Sequence, residues 1–173
     1  GLAPRMAAAE ARVHGVVLLA GPTRRQWHLV VEQRKYLVGL APSEAGAAAI
    51  RQAEESAKKL DDPTLKPDEV VDGIGATYWL DMRAEDPAQV AAKLKVPILV
   101  LQGERDYQVT MVDFAGWRKA LGARKTATLK SYPALNHQFM PGTGKSTPAA
   151  YEPPNPVPVE VIEDLARWLT ASG

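Results

Sequence analysis

The sequence predicts an α/β fold: a three-stranded parallel sheet flanked by helices, with a helical cap insertion. Three observations carry this. Val13 to Ala20 (VHGVVLLA) and Val96 to Gln102 (VPILVLQ) are near-continuous Val/Leu/Ile runs rather than alternating ones. That is the pattern of parallel strands covered by helices on both faces. Helical patterns alternate with strands in the second half of the chain, which implies right-handed crossovers. The span from Gly21 to Asp86 is too long for a simple connection. Residues 1–21 and 87–173 are therefore expected to form the core and 22–86 the helical cap.

Each element has a local reason. Leu2 to Glu10 is a short alanine-rich helix, with Pro4 tolerable in its first turn. Arg25 to Val38 places Trp27, Val30, Val31, Leu37 and Val38 on one face at helical spacing. Ser43 is the expected N-cap of a helix running to Leu60. Its stripe is Ile50, Ala53, Ala57 and Leu60, and Glu54–Lys58 and Glu55–Lys59 are expected i,i+4 pairs. Asp61-Asp62-Pro63 stops it. Asp86-Pro87 starts a helix to about Leu94. Thr110 caps a helix carrying Phe114, Trp117 and Leu121, closed by Gly122. Ala127 to Tyr132 (ATLKSY) is more polar, as an edge strand is. Pro158 begins the last helix, with Val161, Ile162, Leu165, Trp168 and Leu169 expected to face inward.

Composition narrows the function. The 21 Lys+Arg and 20 Asp+Glu give a net charge of +1, against the concentrated basic face that nucleic acid requires. No apolar run approaches the roughly 20 residues of a membrane span. There is no cysteine, so disulfides, thiolate nucleophiles and cysteine-ligated metals are excluded. His14 and His28 lack a carboxylate cluster at ligand spacing, so no metal site is expected. Compartment is not legible.

Two residues stand where chemistry is expected. Asp106 comes four residues after the second strand, in Leu101-Gln-Gly-Glu-Arg-Asp-Tyr, and His137 follows the third, in Ser131-Tyr-Pro-Ala-Leu-Asn-His-Gln-Phe. Ligands of open α/β sheets bind beyond the carboxyl ends of the strands. A carboxylate there can accept the Nδ1–H of a histidine and fix its tautomer, and histidine is the usual general base. Singly, each also reads as an ordinary loop residue. Together they supply two parts of an acid–base–nucleophile triad in strand order.

Val96-Pro-Ile-Leu-Val-Leu-Gln-Gly-Glu-Arg-Asp resembles the strand and acid turn of the α/β-hydrolase fold, and Pro133-Ala-Leu-Asn-His-Gln-Phe resembles its histidine loop. Leu2-Ala-Pro-Arg-Met-Ala resembles the helix after the nucleophile serine, and Val16-Val-Leu-Leu-Ala-Gly-Pro the strand after that helix. The likeness is to the dienelactone-hydrolase and prolyl-oligopeptidase-like branch. It implies the last three strands of the family's eight, with Asp106 as triad acid and His137 as triad base. It implies a small-molecule ester or peptide substrate and no metal or organic cofactor. The family's G-x-S-x-G turn is absent: the serines are 43, 56, 131, 146 and 172, none with glycine at both minus two and plus two. The expectation is a C-terminal fragment of a serine hydrolase, beginning just past the nucleophile and inactive alone.

Tyr78, Trp79 and Tyr107 could line a substrate pocket or pack cap against core. Gly144-Lys-Ser-Thr is no phosphate loop, because position 139 is phenylalanine and Pro148 blocks the following helix. The alternative function is a non-catalytic binding module on the same scaffold. The first strand has no proline or lysine to blunt an open edge, so a homo-oligomer is expected. No nucleic-acid or membrane partner is expected.

Overall fold

The computed structural model describes residues 2–84 and 86–171. In chain order the elements are α1 (Leu2–Ala9), β1 (Val16–Leu19), α2 (Gln26–Leu40), α3 (Glu44–Asp61), β2 (Val70–Val71), β3 (Ile74–Gly75), α4 (Ala76–Ala84), α5 (Pro87–Lys93), β4 (Ile98–Gly103), α6 (Met111–Leu121), β5 (Ala127–Tyr132) and α7 (Val159–Ala171), with a 3₁₀ turn at Pro148–Tyr151 before the last. They fall into two compact units, Gly1–Thr23 with Pro87–Gly173, and Arg24–Asp86. No described helix is long and apolar enough to cross a membrane.

The first unit is an α/β layer structure. Its sheet has the order β1-β4-β5, all parallel. β4 is central, and all six of its residues are buried, which is why its sequence is an unbroken apolar run. On one face Val16, Leu18, Ile98 and Val100 pack against Ala91 of α5 and Phe114, Trp117 and Leu121 of α6. On the other, Leu99, Leu101, Tyr132 and Phe139 meet Val161, Leu165 and Trp168 of α7. Trp117 also donates its Nε1–H to the Gly21 carbonyl at 2.7 Å. The wholly buried Asp113 accepts the Thr23 N–H at 3.0 Å, so α6 is tied to the segment leaving β1 by polar as well as apolar contacts.

β5 has the bounds its sequence predicts and forms one sheet border. β1 departs from expectation. It starts at Val16 rather than Val13, and it is not buried on both faces: α7 covers Val17, but Leu19 is 51% exposed. α7 departs too. Val161, buried, and Leu165 and Trp168, partly buried, make the inward stripe, whereas Ile162 and Leu169, expected to face inward, are 55% and 54% exposed. A helix laid on one sheet face buries only one stripe, and residues one position along lie about 100° around the axis. Gly122 closes α6 by donating to the Arg118 carbonyl at 2.8 Å, in ordinary right-handed geometry.

The second unit packs α2 against α3 around Trp27, Ala57, Leu60, Leu65, Val71 and Ala76. Ser43 caps α3 by accepting the Gly46 N–H at 3.0 Å. Leu29 is buried although the apolar spacing did not single it out. The expected i,i+4 pairs give way to tertiary ones: Lys35 lies 2.6 Å from Glu54, and Lys59 lies 3.1 Å from Glu69. His28 is paired with Asp61 at 2.8 Å, and Asp61 also accepts the Trp27 Nε1–H at 2.9 Å. β2 and β3 form a hairpin that the sequence reading did not contain. Its turn is Asp72-Gly73, with φ of 50° and 77°, the left-handed pair a two-residue hairpin turn requires.

Candidate active site

Two loops beyond the carboxyl ends of β4 and β5 build the site. The acid turn, residues 104–110, is stitched to the histidine loop through its backbone. Glu104 N–H donates to the Tyr132 carbonyl at 3.0 Å and Arg105 N–H to the Leu135 carbonyl at 2.9 Å. The approach is close enough to require glycine at the end of β4: a Cβ on Gly103 would lie 2.5 Å from the carbonyl oxygens of both Leu135 and Asn136. The Arg105 guanidinium adds a strap, donating to the carbonyls of Ala134, Thr143 and Gly144 at 3.1, 3.1 and 2.9 Å.

The histidine loop is held from within. The buried Asn136 accepts the N–H groups of Gln138 and Met140 on its Oδ1, each at 3.0 Å. Phe139 takes a φ of 58°, which few non-glycine residues adopt. Its ring is buried edge-on to Tyr132, with centroids 6.1 Å apart. Backbone strain here is offset by packing, as is common at functional loops. Behind it, Tyr132 donates its hydroxyl to Asp164 at 2.7 Å. Burial, and then Asp164, pushes the Tyr132 hydroxyl pKa up. Burial alone would raise the Asp164 carboxyl; hydrogen bonds from Lys130, Tyr132 and Arg167 outweigh it and hold the carboxyl at about 2.

Between the two loops, His137 Nδ1 lies 2.7 Å from Asp106 Oδ2. The Asp106 side chain is fully buried and the His137 side chain 31% exposed. Asp106 Oδ1 accepts the N–H groups of Gln108 and Val109 at 2.7 and 3.0 Å, and Oδ2 also lies 3.2 Å from Gln102 Nε2. An acceptor on Nδ1 selects the tautomer that leaves Nε2 able to take a proton.

Of the five residues predicted for the site, Asp106 and His137 are brought together and Tyr107 follows Asp106 in sequence. Tyr107 is half-buried, its ring 6.5 Å from that of Tyr151, whose hydroxyl accepts from Gln108 Nε2 at 3.3 Å. Tyr78 and Trp79 belong to the second unit. Trp79 stacks edge-on to Trp27 at 6.2 Å and donates to the Val71 carbonyl at 3.3 Å, so packing accounts for it; Tyr78 is largely exposed. The sequence reading missed Gln102, Gly103, Arg105 and Asn136. Gln102 had a signal, as the one polar residue in VPILVLQ.

Ser43 caps α3, Ser56 donates to Asp72, Ser131 donates to Glu104 and Ser146 is buried. Ser172 lies outside the described residues. Among the described residues no hydroxyl is bonded to His137, and no group of three or more His, Asp or Glu residues could hold a metal ion.

The family model for "Dienelactone hydrolase family" matches residues 66–154, a stretch that contains both Asp106 and His137. The chain belongs to the dienelactone hydrolase family. Esterase EstD of Thermotoga maritima is 36% identical to this dienelactone hydrolase family member over 162 residues, which cover 94% of the chain and 38% of the esterase. The crystal structure of a monoacylglycerol lipase from Paleococcus ferrophilus superposes with a TM-score of 0.52 at 18% identity, over 98% of this chain and 64% of the lipase. That likeness shows the shared α/β fold. The chain thus spans about 38% of the length of the curated relative it matches.

Proposed function

We propose that this chain carries the acid and the base of an ester hydrolase whose serine nucleophile lies elsewhere in a longer protein. His137 Nε2 takes the proton of the serine hydroxyl as its oxygen attacks the ester carbonyl carbon. The same proton then passes to the departing alkoxide. Water repeats the sequence on the acyl-enzyme and releases the acid. Asp106 holds Nδ1–H throughout and stabilises the imidazolium. The observation that carries this reading is the 2.7 Å contact between His137 Nδ1 and the buried Asp106 Oδ2. Membership of the family and the named esterase relative favour an ester over a peptide. Tyr107 and Tyr151 offer an aromatic wall beside the acid turn for the substrate, and Tyr78 an exposed aromatic surface on the helical unit.

Turnover of p-nitrophenyl acetate tests it. The 173-residue chain is expected to match its His137→Ala variant, because neither has a nucleophile that His137 can deprotonate. In the longer protein, Asp106→Asn is expected to lower kcat about 10⁴-fold by imposing the wrong tautomer. A rate in the chain well above the alanine variant would overturn the separate-nucleophile reading. Full activity of His137→Ala in the longer protein would overturn the acid–base assignment.

A further inference from the structure

Gln102 is the next-to-last residue of β4 and is wholly buried. Its Nε2 lies 3.0 Å from the Gly103 carbonyl, 2.9 Å from the Val109 carbonyl and 3.2 Å from Asp106 Oδ2. Its Oε1 is buried with no hydrogen-bond partner among the described residues. The amide cannot be turned over, since Oε1 would then face three oxygens. A buried acceptor without a donor costs free energy, and methionine would fill the same space without that cost. The polar group therefore calls for an explanation beyond packing.

We propose that Gln102 is a positioning residue for the Asp106–His137 pair, an inference that rests on the acid–base reading of that pair. The carboxyl of Asp106 is anchored at Oδ1 by two backbone N–H groups of its own loop. The torsion at the end of an aspartate is soft, and because Oδ1 and Oδ2 turn together as one rigid group, both anchors act from one side of the carboxylate. Gln102 adds a restraint from the strand side, its two N–H hydrogens shared among Asp106 Oδ2 and the two carbonyls. It also clamps both ends of the acid turn, at the carbonyls of Gly103 and Val109, to the same nitrogen. Val109 is held twice, its N–H by Asp106 and its carbonyl by Gln102. The oxygen that receives His137 is thus fixed relative to the sheet rather than only to its loop.

The test is nitrogen and proton NMR of the His137 ring in the ¹⁵N-labelled chain. The wild type is expected to show the Nδ1–H tautomer, with a downfield Nδ1–H resonance protected from exchange. Gln102→Met keeps the volume and removes the donors; Gln102→Leu stands in should the methionine variant not fold. With a native-like backbone amide spectrum, the variant is expected to lose the Nδ1–H resonance to exchange and to populate the Nε2–H tautomer. A variant that only lowers the unfolding midpoint, with tautomer and resonance unchanged, overturns the proposal. Absence of the Nδ1–H tautomer in the wild type would instead overturn the acid–base reading itself, so the two failures are distinguishable.

Discussion

Gly103 and Asn136 meet so closely that a Cβ on Gly103 would sit 2.5 Å from the Asn136 carbonyl oxygen. Real side chains do not tolerate that distance. The contact lies at the carboxyl end of the central strand, between the residues that lead to Asp106 and those that carry His137. It sets the separation of the two loops before either side chain is considered.

Gly103→Ala is therefore expected to do more than strain one residue. The atoms in its way are backbone, which cannot rotate aside, so the loops must part. We expect a loss of about 1–3 kcal/mol in urea unfolding, the usual range for overpacking. The His137 Nδ1–H resonance should be lost with it. An alanine variant with unchanged stability and an intact resonance would show that the loops tolerate separation.

Asn136→Ala removes the acceptor for two loop N–H groups, those of Gln138 and Met140. Leaving the buried Met140 donor without a partner costs about 1–3 kcal/mol. Amide hydrogen exchange at Met140 should accelerate in the variant, while exchange in β1 and β4 stays as it was. Uniform acceleration across the sheet would mean that Asn136 supports the whole unit rather than its loop.

The Asp164 carboxyl gives a pH dependence with a definite sign. Its folded value of about 2 lies below the usual carboxylate range because Lys130, Tyr132 and Arg167 donate to it against the opposing effect of burial. A depressed folded value means stability that is fully present above pH 4 and lost as pH falls toward 2. Asp164→Asn should be less stable than wild type by about 1 kcal/mol at pH 7. The difference should shrink between pH 4 and pH 2. A gap that is constant across that window would assign the loss to packing instead.

The outer border of β1 supplies a prediction about association. Leu19 is exposed there, and the helices on the two faces of the sheet present Leu2 and Met6 on α1 and Ile162 and Leu169 on α7. A border strand with exposed apolar side chains beside it favours pairing with a second copy. Light scattering over a tenfold dilution series should show a mass above one chain that falls on dilution. Leu19→Lys should move the equilibrium toward one chain. A single-chain mass at every concentration would rule the pairing out.

Much of the core was legible in the sequence, and the rest was not for identifiable reasons. β4 and β5 could be read because burial on both faces, or at a sheet border, leaves a composition signal. Asp106 and His137 could be read because each follows a strand and parallel strands align their carboxyl ends. The Asp72-Gly73 hairpin was hidden by strands of two residues each, too short for a period. Ile162 and Leu169 misled because an apolar residue on a helix does not announce whether a neighbour exists to cover it. Glu54 and Lys59 found partners outside their own helix, which no i,i+4 rule anticipates. Gln102 was visible as a polar residue in an apolar run, but its purpose depends on three oxygens that only the fold assembles.

The stitching of the two loops has a consequence for how the chain can change. Asp106 and His137 are 31 residues apart, joined by one helix and one strand. The partners that hold them lie between Gln102 and Gly144, within and just beyond that stretch. Closing a loop costs only about 0.6 kcal/mol more for each doubling of its length, but here even that cost is independent of what precedes β4. The Arg24–Asp86 unit can lengthen, shorten or be exchanged without altering the entropy of assembling the pair. A scaffold arranged in this way separates the part of the chain that is free to diversify from the part that must keep its geometry.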